Sequence, residues 1–466
     1  MRARKFTRPL VLAVAGAAAL AAGPAMGAPQ IQTHTLTNGM EVYVVENQGA
    51  PLVTIELAIK GGASVETPDL SGVSHFHEHM MMRKNQVLPT AEAFQARWRE
   101  LGLDGNAFAG IDRVSFHTTA TREHLGQAML FMRDLFLAPR FDQEDLEREK
   151  GAVLGELDRN ESDPAYVLLD RVDLRLWWRH PNRKAPLGSR DSIRKTTLAK
   201  LRAIQQRYYV PNNTLLVVTG DVQATAVFKE TEALYGAWRR RPDPFRRHPL
   251  VKHPPLRATE VVVVQHQVQN VRGRMAWHGP STSGATVEDS YAALLLPTLL
   301  RAPGSRFLDN LVYSGPCMGV WFEWQAHRNT GPIYLRFSST AENARTCIQS
   351  IRNELGRIKS PDYFTDEDLQ LGIRLFQMDA ALERERPADL VHDLTFWWAT
   401  GGLDYYRQRI PRTSAVSRAD IGRFLDRYVL GKPFVLGVML SPQTAATGLD
   451  QDAFEAAALG PTASVQ

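Results

Sequence analysis

The feature that most constrains this chain of 466 residues is that it repeats itself. Gly39-Met40-Glu41-Val42-Tyr43-Val44-Val45 reads as a strand near the start of the first half, and Glu260-Val261-Val262-Val263-Val264 is its counterpart about 220 residues later. Arg207-Tyr208-Tyr209-Val210-Pro211-Asn212-Asn213 precedes a strand over 214–219. Arg427-Tyr428-Val429 and Lys432-Pro433 precede a strand over 434–440, again about 220 residues on. Two offsets that agree predict two copies of one folding unit. Within a unit strands come first, then helical stretches, then strands again. Residues 91–101, 143–160 and 196–208 show helical spacing of apolar side chains, and 114–119 and 215–218 read as strands. The expected class is α+β, with two related domains, each a mainly antiparallel sheet with helices packed on one face.

The stretch RRPDPFRRHPLVKHPP, 240–255, is rich in Pro, Arg and His without periodicity and reads as a linker. The expected organisation is a signal peptide over 1–27, a first domain over 28–245, a linker over 246–257 and a second domain over 258–466. The signal peptide follows from Arg2, Arg4, Lys5 and Arg8, the apolar run LVLAVAGAAALAA over 10–22, and small residues at Ala25 and Gly27 that place cleavage between Gly27 and Ala28. Thirteen apolar residues are short for an uncleaved anchor, which needs about 20. No later run is long and apolar enough to span a bilayer, so the mature chain is expected to be periplasmic or secreted. Formal charge is +5, but cleavage removes four basic residues and no acidic one, leaving 51 against 50. With no basic stretch interleaved with aromatics outside the linker, nucleic-acid binding is not expected. Trp177-Trp178 and Trp397-Trp398 read as core or interface packing. Cys317 and Cys347 could form one bridge or stay as thiols, and they read first as two small buried apolar residues.

The stretch that carries chemistry is Ser71-Gly72-Val73-Ser74-His75-Phe76-His77-Glu78-His79-Met80-Met81-Met82. Ser71 or Ser74 can cap a helix here. On that helix His75 and His79 share a face with Glu78, and His77 is turned away. Two imidazoles one turn apart can hold one zinc ion, and a carboxylate beside them can take a proton from water that the metal activates. The order H-x-x-E-H reverses the commoner H-E-x-x-H zinc helix. A catalytic zinc needs a third protein ligand. The 143–160 helix offers Glu149 and Glu156, seven apart on a face shared with Val153 and bordered by Leu146. Two carboxylates on an apolar face are costly to bury without a cation.

These residues resemble the M16 (pitrilysin, or insulinase-like) family of zinc peptidases, in the short two-domain form related to mitochondrial processing peptidase. In that family the third ligand is a Glu about 77 residues after the second His, which falls on Glu156, and Glu149 matches a second, supporting Glu. Gly105-Asn106-Ala107-Phe108 resembles the family's segment before a substrate-pairing strand. His180-Pro181, Pro186-Leu187-Gly188, Tyr209-Val210-Pro211-Asn212-Asn213 and, in the second half, 269–280, 289–300 and Gly304-Ser305-Arg306 are similar too. The resemblance implies a zinc endopeptidase with His75, His79 and Glu156 as ligands of one zinc ion, Glu78 as general base and Glu149 behind the ligands. Peptide would add as a strand near Asn106, Ala107 and Phe108. Shifting His75 by about 220 lands on Leu295, in an apolar helical run, so only the first half is expected to hold metal.

The family's substrate-holding Arg–Tyr pair is missing, since Val312 stands where Arg is expected and Met318 near where Tyr is expected. Ala109 replaces a frequent Thr. Because some members work as pairs, the resemblance implies a related partner subunit in a heterodimer, or a homodimer. A rival reading is a periplasmic copper or zinc carrier using His75, His77, His79 and Met80 to Met82, which needs that stretch extended. A binuclear H-x-H-x-D-H site fails, because only Glu78 separates His77 from His79.

Overall fold

The computed structural model describes residues 30–459. The expected signal peptide and its cleavage site lie outside the described residues. The first unit contributes β1 (Gln32–Thr35), β2 (Glu41–Glu46), β3 (Leu52–Lys60), β4 (Asp104–Ala109), β5 (Arg113–Thr121) and β6 (Thr214–Gly220), in the sheet order β1-β2-β6-β3-β5-β4. The second contributes β7 (Glu260–Gln265), β8 (Val271–His278), β9 (Gly319–Trp324), β10 (Pro332–Ser339) and β11 (Val435–Leu440), in the order β7-β11-β8-β10-β9. With β1 set aside, the two orders are the same. In each the first and last strands pair in parallel and every other pair is antiparallel. The registers match as well. Glu41–Leu215–Ala58–Ser115–Phe108 run across the first sheet where Glu260–Val435–Ala276–Tyr334–Glu323 run across the second. Two related α+β domains are therefore present.

The helices that matter below are α1 (Val73–Met81), α2 (Gln143–Glu161), α3 (Pro164–Leu176), α4 (Val287–Arg301) and α5 (Pro387–Thr400). Strand alternation sends Val53, Ile55, Leu57 and Ile59 of β3 into the first unit's own core, with Phe76, Met80 and Met81 of α1. The opposite face is not open to water. Helix α5, from the second unit, packs on β3, β6 and β5, while α3, from the first unit, packs on β11, β8 and β7. Each unit thus lends one helix to the other's sheet. Leu168, Val172 and Leu176 of α3 pack with Val262, Ala276, Tyr334, Val435 and Met439 in one apolar seam. Gly437 lies directly beneath, where an added Cβ would come within 2.4 Å of Val172. In the other seam Trp398 donates from its indole to Glu41 at 2.8 Å, and Lys60 lies over its ring at 4.3 Å. Trp177 and Trp398 therefore serve the seams between units, whereas Trp178 is exposed.

Leu295, the sequence counterpart of His75, is fully buried within α4. The linker stretch contains one helical turn, Pro244–Arg247, whose Phe245 packs on the first unit's core. Cys317 and Cys347 correct the first reading of two separate buried residues: their Cα atoms stand 5.1 Å apart and the sulfurs are bonded. The bridge ties the segment before β9 to the helix after β10, which sequence spacing alone could not reveal.

Candidate metal centre

The helix that carries the motif begins differently from the serine cap expected. Its N-cap is Gly72 at φ 77°, and no side chain of its own turn caps it. Instead the fully buried Glu66, six residues upstream, accepts from the backbone N–H of Gly72 and of Ser74, both at 2.7 Å. Gly72 is needed there because its φ is left-handed and an added Cβ would lie 2.6 Å from the Leu187 carbonyl. Ser74 turns its hydroxyl to the Gly62 carbonyl. Burial drives the Glu66 carboxyl up, to about 8, while its two backbone donors and Arg183 pull against this. No cap motif adjoins Glu66 in the sequence, so only the fold could assign it.

From that fixed start, α1 presents His75, Glu78 and His79 to α2. The two imidazole rings meet edge to face with centroids 4.7 Å apart. Glu156 Oε2 lies 3.5 Å from His75 Nε2 and 3.5 Å from His79 Nε2. One ligand atom from each of His75, His79 and Glu156 falls within 4.8 Å of the others. Glu78 Oε2 is 3.9 Å from His75 Nε2. Behind them, Glu149 Oε2 meets His79 Nδ1 at 3.2 Å, which leaves Nε2 free to ligate. Arg83 Nη1 stands 3.3 Å from Glu149's other oxygen. Arg83 was not singled out from the sequence, although its place four residues after His79 is the signal that finds it.

Three carboxylates converging on two imidazoles fit a divalent cation. Burial, and then His79, hold His75 down to about 4, so its ring is neutral at physiological pH. In the protein alone, burial lifts Glu78 to about 7, and Glu156 and Glu149 add to the rise against His79. His77 faces away as expected. It is fully buried against Phe141 and Tyr209, with ring centroids 5.1 and 4.6 Å off, and burial holds it near 3. Met80 and Met81 are core residues. A helical motif with its methionines inward removes the extended arrangement that a copper carrier needs.

The residues expected to meet a peptide lie on a strand that touches α1. Asn106, Ala107 and Phe108 lie on β4, the outer strand of its sheet, against which α1 packs. Phe108 is exposed, and its neighbour Asn106 accepts from the Ala107 N–H at 2.9 Å. In the second unit Val312 is half-buried against the core, while Met318 and Tyr313 are exposed.

Two family models match this chain: "Insulinase (Peptidase family M16)" over residues 41–187 and "Peptidase M16 inactive domain" over 195–376. The chain belongs to the M16 peptidase family. Among its M16 relatives, an uncharacterised zinc protease of Bacillus subtilis is 25% identical over 45% of this chain and 50% of that protein. A probable mitochondrial-processing peptidase subunit beta of Arabidopsis thaliana is 23% identical over 59% and 51%. The chain spans about half the length of these curated relatives. Among solved structures, a protease from Helicobacter pylori superposes with a TM-score of 0.79 at 19% identity, covering 89% of this chain and 100% of that one. The periplasmic protease PqqL of Escherichia coli superposes at 0.75 and 19%, covering 92% and 50%. These likenesses speak to the M16 fold.

Proposed function

We propose that this chain is an exported zinc metallo-endopeptidase that hydrolyses peptides or unfolded segments. The observation that carries the reading is the convergence of His75, His79 and Glu156 to within 4.8 Å, with Glu78 on the same helix face. Zinc held by these three would supply Lewis-acid activation of water and of the peptide carbonyl. Glu78 takes the proton from the attacking water on its carboxylate and later delivers it to the leaving amine. Glu149 holds the His79 ring in one tautomer through Nδ1. The open edge of β4 at Asn106, Ala107 and Phe108 offers backbone groups to an added peptide strand. Export from a cleaved 1–27 segment is supported by the Cys317–Cys347 bridge, which suits an oxidising compartment, and by the periplasmic setting named for the Escherichia coli neighbour. Among the described residues no helix is long and apolar enough to cross a membrane.

The test is Glu78→Gln on the zinc-loaded mature chain. It keeps zinc and loses peptide cleavage by at least about a hundredfold. Cleavage that survives undiminished overturns the mechanism. Glu156→Gln weakens zinc binding instead.

A second reading, in which the chain is the zinc-bearing subunit of a pair, is favoured by Val312 and Met318 at the positions of the missing Arg and Tyr. The Arabidopsis relative is itself named a subunit. Co-purification of a related chain from the native host, and its restoration of cleavage, checks this. Full activity of the lone chain speaks against it.

A further inference from the structure

The second unit's sheet is covered by α3 chiefly over β7, β11 and β8. Beyond that helix the same face carries Arg272 and Arg274 on β8, Arg336 on β10 and Trp321 on β9. The registers set Arg274, Arg336 and Trp321 side by side in one row. With Arg272 they line a cavity of about 750 Å³, bounded on one side by Ala165 and Leu168 of α3.

The cavity is built with more positive charge than its own walls balance. Arg274 is 7% exposed, its guanidinium lies 4.8 Å over the Tyr334 ring, and its Nε has no hydrogen-bond partner among the described residues. Glu323 stands 3.9 Å from Arg274 and 3.6 Å from Arg336, so a single carboxylate serves both. The nearby Asp173 accepts from the Tyr334 hydroxyl at 2.6 Å, and burial raises its carboxyl to about 7. Arg272 is exposed and has no ion-pair partner among the described residues. Trp321, 45% exposed, is flanked by the guanidinium groups of Arg336 at 5.6 Å and Arg301 at 5.9 Å. Forked donors beside an aromatic plate suit a planar carboxylate, which a guanidinium can grip with two parallel bonds.

One wall of the cavity is joined to the candidate metal centre by a short stretch of chain. Ala165 follows Glu156 by nine residues. Five of these continue α2 to Glu161, a rise of about 7.5 Å. The next four reach at most about 14 Å, so that wall lies within about 22 Å of the Glu156 backbone, the span of about seven extended residues.

We propose that this cavity is a carboxylate-binding subsite, formed by Arg272, Arg274, Arg336 and Trp321, that selects peptide substrates bearing an acidic side chain or a free C-terminus near the cleaved bond. The subsite rests on the peptidase reading for its role, and on its own geometry for its chemistry.

The probes are a fluorescein-labelled decapeptide with two Glu, its Gln counterpart, and the Gln peptide with a free or an amidated C-terminus. They are titrated against the full zinc-loaded chain carrying Glu78→Gln. Expected is binding about tenfold tighter for one carboxylate-bearing peptide than for its neutral match, weakening with salt. Preference in the Glu/Gln pair assigns a side chain, and preference in the free/amidated pair assigns the terminus. Arg272→Gln with Arg336→Gln brings each pair to within about twofold at an unchanged melting temperature. If that double variant melts early, Arg272→Gln alone, at an exposed site, is expected to cost about threefold. Equal binding within both pairs overturns the proposal, as does a preference that survives these substitutions. Cleavage of the same peptides by the wild-type chain separates the two ideas. Acid preference in binding without cleavage, by the chain alone and with any related chain that co-purifies with it, upholds the subsite and overturns the catalytic reading. Cleavage without acid preference does the reverse.

Discussion

Glu56 and Arg274 occupy the same position in the two sheets and carry opposite charges. Glu56 pairs with Val217 on one side and His117 on the other, and Arg274 pairs in the same way with Gly437 and Arg336. The row ends at Asn106 in the first sheet and Trp321 in the second. Each faces the helix lent by the other unit. Glu56 accepts from the Thr395 hydroxyl at 2.7 Å and meets His392 Nδ1 at 2.5 Å, both on α5. Arg274 is drawn by Asp173 of α3. The repeated fold keeps its geometry and inverts the charge in its two seams.

That inversion makes the first seam sensitive to acid. Burial alone would raise the Glu56 carboxyl, but His392, Arg113 and Thr395 outweigh it and hold it at about 2, below its ordinary 4.5. The folded value lies below the unfolded one. Its stabilisation is therefore complete above about pH 4.5 and is lost as pH falls through about 2. The difference amounts to about 3 kcal/mol. Glu56→Gln is expected to remove most of it at pH 7 and flatten the acid limb, read from denaturant unfolding at pH 7, 4 and 3.

In the proposed zinc site Glu149 would act through His79, whose Nδ1 it meets at 3.2 Å. Glu149→Ala is expected to leave one zinc per chain but to weaken its affinity about 10- to 100-fold. Competition with a calibrated chelator measures this. Wild-type affinity would show that the 3.2 Å contact to His79 Nδ1 is idle.

Glu66 fixes where the metal helix starts. Glu66→Ala strands two buried N–H groups, those of Gly72 and Ser74, at a cost of about 1–3 kcal/mol each. Glu66→Gln, which keeps one acceptor oxygen, is expected to lose roughly half as much. Thermal melting of the metal-free variants, followed by zinc titration, separates lost stability from lost affinity.

The Cys317–Cys347 bridge closes a loop with a sequence separation of 30. Chain-entropy arguments give such a loop about 3–4 kcal/mol. Reduction, or Cys317→Ser with Cys347→Ser, is expected to lower the melting temperature while leaving zinc stoichiometry unchanged. Mass spectrometry with and without reductant verifies the bridge.

Local chemistry made much of this legible in the sequence. His75, Glu78 and His79 share a face because a helix turns once in 3.6 residues, and the same rule aligned Glu149 with Glu156. The repeat was legible because the strands beginning at Glu41 and Glu260, and those beginning at Thr214 and Val435, keep their composition. Long-range contacts left no such trace. Glu66 caps a helix six residues away through a loop that no cap motif describes. Nothing along α3 or α5 marks them as covers for a distant sheet, since an apolar stripe reads the same whichever surface it meets. The arginine row emerges only once β8, β9 and β10 are placed in register.

The exchange of α3 and α5 also bears on how such a chain is inherited. A gene cut back to either half would encode a sheet with one apolar face bare, and a helix with nothing to cover. Selection on the half that carries His75, His79 and Glu156 therefore preserves the other half too. Two fragments divided within the linker and produced together should recover one particle, while each produced by itself should aggregate.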